Sequence, residues 1–160
     1  MGQVMGAMIA EASTGIEVAV PRPADEVAAA LDPSAAPARD AGPSWYEGPS
    51  WYEGLRLHRY DDRGDEGARF VVTGHLVGSC EWWIETLPRH PDGSDAGVVV
   101  HFWLRGRATR DGDRDPERHW PGPAGWMARR RTTAMVHHHG ERFRHLLHRI
   151  RVGPSRHEGF

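Results

Sequence analysis

Residues 125–152 form a proline-free segment that holds five of the chain's eleven histidines. A helix over this segment, at about 100° per residue, brings a set of mostly apolar side chains onto one arc. The arc consists of Thr132, Met135, Val136, His139, Phe143, Leu146, Leu147 and Ile150. His139 lies in its middle, and an imidazole, whose ordinary pKa is near neutrality, is suited to transfer a proton. A hydrogen-bonded core histidine is the competing interpretation, and the residues alone leave both open.

The other histidines of this segment suggest metal binding, but their spacing argues against it. Residues 137–139 are consecutive histidines, whose side chains point about 100° apart on a helix and therefore cannot share one ion. His138, Glu141, His145 and His148 do share a face, which lies opposite the apolar arc. No second segment is evident that would complete a coordination sphere there. We therefore predict a solvated polar stripe, no metal site and no cofactor.

Length and composition predict one cytoplasmic domain without a membrane partner. A chain of 160 residues suffices for a single core of ordinary size. The single cysteine, Cys80, excludes an intramolecular disulfide and fits a reducing compartment. No apolar run approaches the roughly 20 residues needed to cross a bilayer, and the N-terminal apolar stretch lacks the features of a signal peptide. We expect a loose leader over residues 1–13, one domain over residues 14–152 and a flexible tail over residues 153–160.

The order of the predicted elements indicates an α+β fold. Residues 15–20 alternate as a half-buried strand, and residues 24–31 favour a short helix. Consecutive runs with period-two alternation then predict an antiparallel meander, with a tight turn at Gly78-Ser79. These runs are residues 55–60, 68–77, 80–87 and 98–107. Residues 108–125 are expected to form a long loop. A curved antiparallel sheet has one apolar face to cover, and the last helix has one apolar arc to bury, so we expect the sheet to wrap around that helix.

Where the side chains of the sheet and the helix do not meet, this arrangement leaves an internal hydrophobic cavity. We expect the sheet to contribute its more apolar set to the lining: Val18, Phe70, Val72, Trp82, Ile84, Phe102 and Leu104. The helix would contribute Met135, Val136, His139 and Phe143. In this register Trp83, Val99 and Trp103 form an exposed patch on the other face, which is typical of a homodimer interface. The opposite register would instead place Glu85, His101 and Arg105 in the cavity.

A perfect tandem copy precedes the meander, because the hexapeptide GPSWYE occurs at residues 42–47 and again at residues 48–53. A duplication tolerated in a loop is favoured over an aromatic clamp, since loops accept insertions at low cost. Two Trp-Tyr pairs are nevertheless a large apolar area to leave in water. We therefore expect at least Trp51 and Tyr52 to pack over something.

Several of these segments carry a resemblance to a known superfamily. The N-terminal GIEVAVPRPADEVAAALDP, the turn SWYEG, the strand entries GARFVV and CEWWIETL, and the long closing helix together resemble the START-like, helix-grip superfamily (SRPBCC). That superfamily includes bacterial polyketide cyclases and aromatases. The resemblance covers roughly residues 14–152, and it implies a cavity that binds a hydrophobic or polycyclic small molecule.

The same resemblance implies that the ligand is cyclised or dehydrated in natural-product biosynthesis, or else that it is only carried. Cyclisation needs a shaped site and a group that moves protons. His139 and Tyr52 are the candidate catalytic residues, with Trp51 at the mouth of the site, and Tyr46, Glu53 and Arg129 are weaker candidates. Seven arginines and one glutamate lie within residues 128–151. They suit an acidic acyl carrier protein that delivers the substrate. Nucleic acid is disfavoured, because no aromatic platform is interleaved with them.

Overall fold

The computed structural model describes residues 11–33, 51–109 and 122–153. The elements are β1 (Ala12–Val20), α1 (Ala24–Leu31), β2 (Leu55–Asp62), β3 (Gly67–Gly74), β4 (Leu76–Thr86), β5 (Val98–Ala108) and α2 (Pro123–Val152). A single 3-10 turn, Gly64–Glu66, joins β2 to β3. Four predicted features lie wholly or mostly outside the described residues: the N-terminal leader, the first hexapeptide copy with Tyr46, most of the long loop before α2, and the C-terminal tail.

The five strands form one antiparallel, curved and unclosed sheet in the order β1-β5-β4-β3-β2. Strands β2 to β5 follow one another as the predicted meander, and β1 pairs with β5 from Ala12–Gly106 to Val20–Val98. The edges of the sheet are therefore β1 and β2. The α+β prediction of an antiparallel sheet with a long C-terminal helix is confirmed, and the architecture is compatible with a helix-grip fold.

The side chains of β3, β4 and β5 take the register expected from the larger apolar set. Phe70, Val72, Trp82, Ile84, Val100, Phe102 and Leu104 are all buried. Trp83 and Trp103 are 39% and 42% exposed on the opposite face, and Glu85 and Arg105 are exposed there too. The opposite register is thereby excluded for these strands.

The predicted turn at Gly78-Ser79 is wrong. The chain turns at residues 74–75, where Gly74 has a φ of 103°, and β4 runs straight through Gly78. A Cβ at Gly78 would lie only 2.0 Å from the carbonyl oxygen of Arg105 on β5. Gly78 therefore serves a close approach of two strands, which a sequence pattern cannot distinguish from a turn.

Helix α2 buries the predicted arc against the sheet, packing mainly on β1 and β5 and reaching β4. Val136, Phe143 and Leu147 have no exposed surface, and the glycine at the edge of the arc, Gly140, is buried as well. A Cβ at Gly140 would lie 2.9 Å from the Thr14 methyl group of β1, so the glycine permits a close contact between helix and strand. Helix α1 lies over the 3-10 turn and β4. In the described ranges, no helix is long and apolar enough to cross a membrane.

Candidate functional site

The four residues before β2, 51–54, form a turn that inserts an indole between the sheet and α2; we call it the aromatic turn. Trp51 is only 3% exposed. Its ring packs edge-on against Phe102 of β5 at 5.3 Å and against Phe143 of α2 at 5.2 Å between ring centroids. Phe102 and Phe143 stack on each other at 3.9 Å, with 18° between their planes. These three rings fill the layer between β5 and α2 at this level and join strand, helix and turn.

His139 is buried beside this cluster and is 3% exposed. Its Nδ1 lies 2.8 Å from the backbone carbonyl oxygen of Trp51. A carbonyl can only accept a hydrogen bond, so Nδ1 carries the proton and Nε2 is the acceptor nitrogen of the neutral ring. The geometry therefore fixes both the tautomer and the orientation of the imidazole.

Burial is the main influence on the titration of His139, and it lowers the pKa because a charged imidazolium loses its hydration there. The hydrogen bond to Trp51 acts in the opposite direction. Electrostatic interactions with His138, Arg142 and His75 add a smaller lowering effect on the pKa of His139. The ring is consequently neutral at pH 7, which is the form in which an imidazole can accept a proton.

Polar contacts hold the aromatic turn from three sides. Arg142 of α2, three residues after His139, donates from Nη2 to the Glu53 carboxylate at 2.7 Å. The Tyr52 hydroxyl donates to the carbonyl oxygen of Pro33, just beyond α1, at 3.2 Å. The third contact comes from His75, whose backbone N–H donates to the Gly54 carbonyl oxygen at 3.0 Å. The His75 ring also covers Gly54 so closely that a Cβ there would lie 2.4 Å from its Nδ1.

The structure brings together only some of the predicted site residues. His139, Trp51, Phe102 and Phe143 form one cluster, with Tyr52 next to Trp51 at 5.4 Å between ring centroids. Val136 is buried and Met135 half-buried one helical turn before His139. The remaining predicted lining residues lie on the inner sheet face: Phe70, Val72, Trp82, Ile84 and Leu104 are buried, and Val18 is half-buried. None of these six has a described contact with His139.

Three residues at the aromatic turn are missed or underrated by the sequence patterns. In the sequence Arg142 is only one of seven arginines and Glu53 is a weaker candidate, yet they form an ion pair across the turn. His75 falls within the predicted strand over residues 68–77, and the true turn at residues 74–75 brings it to Gly54 instead. The opposite charges of Arg142 and Glu53 were visible, but nothing in their spacing indicates the contact.

The histidine stripe of α2 is exposed as predicted, at His138, Glu141, His145 and His148. Glu141 pairs with Arg144 at 2.8 Å. Across residues 11–33, 51–109 and 122–153, no three histidine, cysteine or acidic side chains are grouped so that they could hold a metal ion.

A surface cavity of about 220 Å³ lies along β3 and β4 and includes none of the residues around His139. Its walls come from the start of β3, the middle of β4 and the preceding connection: Arg63, Ala68, Arg69, Glu81, Trp82 and Trp83. The arginines there are already paired, Arg69 with Glu81 at 2.9 Å and Arg63 with Asp61 at 3.0 Å. This balanced set offers no preference for a charged ligand.

No protein-family model matches the chain, and no curated protein is significantly similar to it in sequence. The likeness to the helix-grip architecture therefore rests on the fold, namely the curved antiparallel sheet and the long C-terminal helix. A fold of this kind hosts many activities, so function has to be argued from the site.

Proposed function

We propose that the chain binds a hydrophobic, ring-containing small molecule between the sheet and α2, and that His139 moves a proton during its cyclisation or dehydration. This is the activity of the polyketide cyclases in the START-like superfamily that the sequence resembles. The observation that carries the proposal is a neutral, oriented imidazole in an otherwise apolar layer.

In this proposal the carbonyl of Trp51 is the orienting group and Nε2 of His139 is the base. A histidine whose Nδ1–H is fixed by a carbonyl presents Nε2 in one direction, as in other general bases. A carbon acid next to a carbonyl group of the ligand would lose its proton to Nε2. The resulting imidazolium would then return a proton to the oxygen that leaves as water in a dehydration.

The ligand would enter the layer next to Met135 and Val136, one turn before His139 on the same arc. Met135 is half-buried and has a flexible, unbranched side chain, so it is the residue best able to yield to an incoming ring. On the other side of His139, the indole of Trp51 closes the layer. A planar, apolar ligand suits such a layer, because it can pack beside the Phe102–Phe143 stack in the edge-on manner that the indole of Trp51 already shows.

The experiment begins with native mass spectrometry of the purified chain, to find a ligand that co-purifies. A candidate ligand is then titrated into wild type and His139→Gln, whose neutral amide is similar in size to the imidazole but cannot act as a base. The proposal expects unchanged affinity and a loss of turnover of about 10²-fold or more, as for removal of a general base. Turnover that survives His139→Gln would exclude His139 as the base.

Tyr52→Phe tests the second predicted catalytic residue. Because the hydroxyl bonds to the Pro33 carbonyl, a purely positional role would lower the melting temperature and leave kcat unchanged. A catalytic role would lower kcat as well as the melting temperature.

A non-catalytic carrier of a hydrophobic metabolite is the second candidate. It is favoured by the engagement of the polar groups at the aromatic turn, since His139, Tyr52, Glu53 and Arg142 each have a described protein partner. A carrier would retain ligand in the mass spectrum and release it unchanged, with no product from wild type or His139→Gln.

If the substrate arrives on an acidic acyl carrier protein, the exposed start of α2 is the docking surface that we propose. Arg129 and Arg130 are exposed there, and the Arg130 guanidinium lies over the Trp126 ring at 4.8 Å. Arg131 donates to the Thr109 carbonyl at 3.2 Å, so one of its N–H donors is already engaged within the chain. Replacing Arg129 and Arg130 with glutamate should abolish a salt-sensitive interaction with such a carrier and leave affinity for the free ligand unchanged.

A further inference from the structure

The outer face of the sheet, opposite both helices, carries an apolar patch that no described element covers. Trp83 on β4, Trp103 on β5 and Val71 on β3 are 39%, 42% and 46% exposed. In the sheet register Trp83 pairs with His101 and Trp103 pairs with Glu81, so the two tryptophans are diagonal neighbours on adjacent strands. Two aromatic rings exposed side by side near the centre of a face are characteristic of interaction surfaces.

Both tryptophans are held in place before any partner arrives. Trp83 stacks on His101 at 4.7 Å, with 6° between the ring planes. Trp103 occupies the space above Gly15 of β1, where a Cβ would come within 2.9 Å of the indole. Rings that are already ordered lose little conformational entropy on binding, so they make effective anchors.

Apart from the Arg69–Glu81 ion pair beside Trp103, the charged residues of this face are segregated along the strands. Glu17 and Glu85 lie at one end, where they flank His101 at 3.5 and 3.4 Å and are 72% and 67% exposed. Arg105 and Arg107 follow Trp103 on the same face of β5, toward the other end. Arg105 contacts Glu11 at 2.8 Å, but this pair is exposed and such pairs contribute little, so the arginine can exchange partners. The face therefore has an acidic end, an aromatic centre and a basic end.

From this pattern we propose that the outer face binds a second copy of this chain. A two-fold axis that lies in the interface, perpendicular to the strands, places the acidic end of one copy on the basic end of the other. It also brings the tryptophans of the two copies together. A partner of one charge would match only one end of the face, whereas a second copy matches both. The interface is independent of the ligand site, which lies on the other side of the sheet.

The first test measures the molecular mass of the full chain by sedimentation velocity over a range of concentrations. Trp103→Ala and Trp83→Ala should each weaken dimerisation by roughly thirtyfold or more, as expected for central aromatic anchors. Trp126→Ala is the matched control, because Trp126 is 58% exposed on α2 and lies outside the proposed interface. A wild-type chain that stays monomeric throughout, or a dimer that Trp126→Ala disrupts as strongly as Trp103→Ala, overturns the proposal.

Charge reversal then tests the orientation of the two copies. Glu17→Arg with Glu85→Arg makes both ends basic, and Arg105→Glu with Arg107→Glu makes both ends acidic. Each double variant should be monomeric by itself, and an equimolar mixture should form a heterodimer because every contact is again between opposite charges. Circular dichroism of each variant confirms that it is folded. Two folded variants that fail to associate when mixed would contradict the proposed axis.

Discussion

Replacement of Trp51 by alanine is the most direct test of the aromatic turn. The substitution removes an almost fully buried indole that contacts both Phe102 and Phe143. It leaves the backbone carbonyl that accepts the hydrogen bond from His139, so the loss comes from packing and not from an unsatisfied polar group. Deletion of a buried aromatic side chain costs about 3–5 kcal/mol, part of it for the cavity that remains.

For a domain of this size, each kcal/mol lowers the melting temperature by about 2–4 °C. We therefore expect Trp51→Ala to lower it by roughly 6–20 °C, measured by circular dichroism on heating and checked by urea unfolding. The chain offers a control in Trp126, which is 58% exposed on α2. Trp126→Ala should change the free energy of unfolding by less than about 1 kcal/mol. Equal losses in the two variants, or a loss below about 1 kcal/mol for Trp51→Ala, would refute the assignment of this position to Trp51.

Three further predictions concern titration, the ion pair and the thiol. Burial lowers the pKa of His139, so the unfolded chain takes up this proton at a higher pH than the folded chain does. The contribution of the neutral His139 ring to the free energy of unfolding should therefore be intact above about pH 6.5. It should decrease as the pH falls below that value, by at most about 1.4 kcal/mol per pH unit. Urea unfolding of wild type and His139→Gln across this pH range checks the prediction. A difference in the free energy of unfolding between the two chains that does not depend on pH would contradict it. A double-mutant cycle of Arg142→Gln and Glu53→Gln should give a coupling of about 0.2–1 kcal/mol that salt weakens, because Glu53 is 65% exposed. A coupling that high salt leaves unchanged would argue against this ion pair. Burial also raises the pKa of the Cys80 thiol, so alkylation should be slow in the folded chain and follow the rate of unfolding; fast labelling under native conditions would be the opposite result.

The periodic parts of the sequence were sufficient to predict much of the fold. Period-two alternation predicted which side chains of β4 and β5 face inward, and the bounds of α1 were predicted to the residue. The arc of α2 was also predicted, together with the exposed stripe of His138, Glu141, His145 and His148 on its other side. These features depend on the geometry of one element at a time, and apolar periodicity reports that geometry directly.

Features set by contact between distant backbones were not predictable. The Gly78-Ser79 pair predicts a turn, because Gly-Ser pairs commonly mark one, but the close approach of β5 explains the glycine. For Trp51 the sequence predicts packing against the rest of the domain, but it does not identify the partners. These partners, Phe102 and Phe143, lie 51 and 92 residues further along the chain, and no local pattern links them to the turn.

The sequence by itself determined that His139 lies on an apolar helix face and that Trp51 belongs to an unusual aromatic duplication. It left open whether this histidine is a core residue or a reactive one. The tertiary structure decided what surrounds it. The Trp51 carbonyl accepts a hydrogen bond from Nδ1–H, burial keeps the ring neutral, and Arg142 forms an ion pair with Glu53 two residues after Trp51. The physical reason is that the tautomer, pKa and orientation of a side chain depend on desolvation and on the partners within a few ångströms, and those partners come from parts of the chain that meet only when the sheet and α2 pack together.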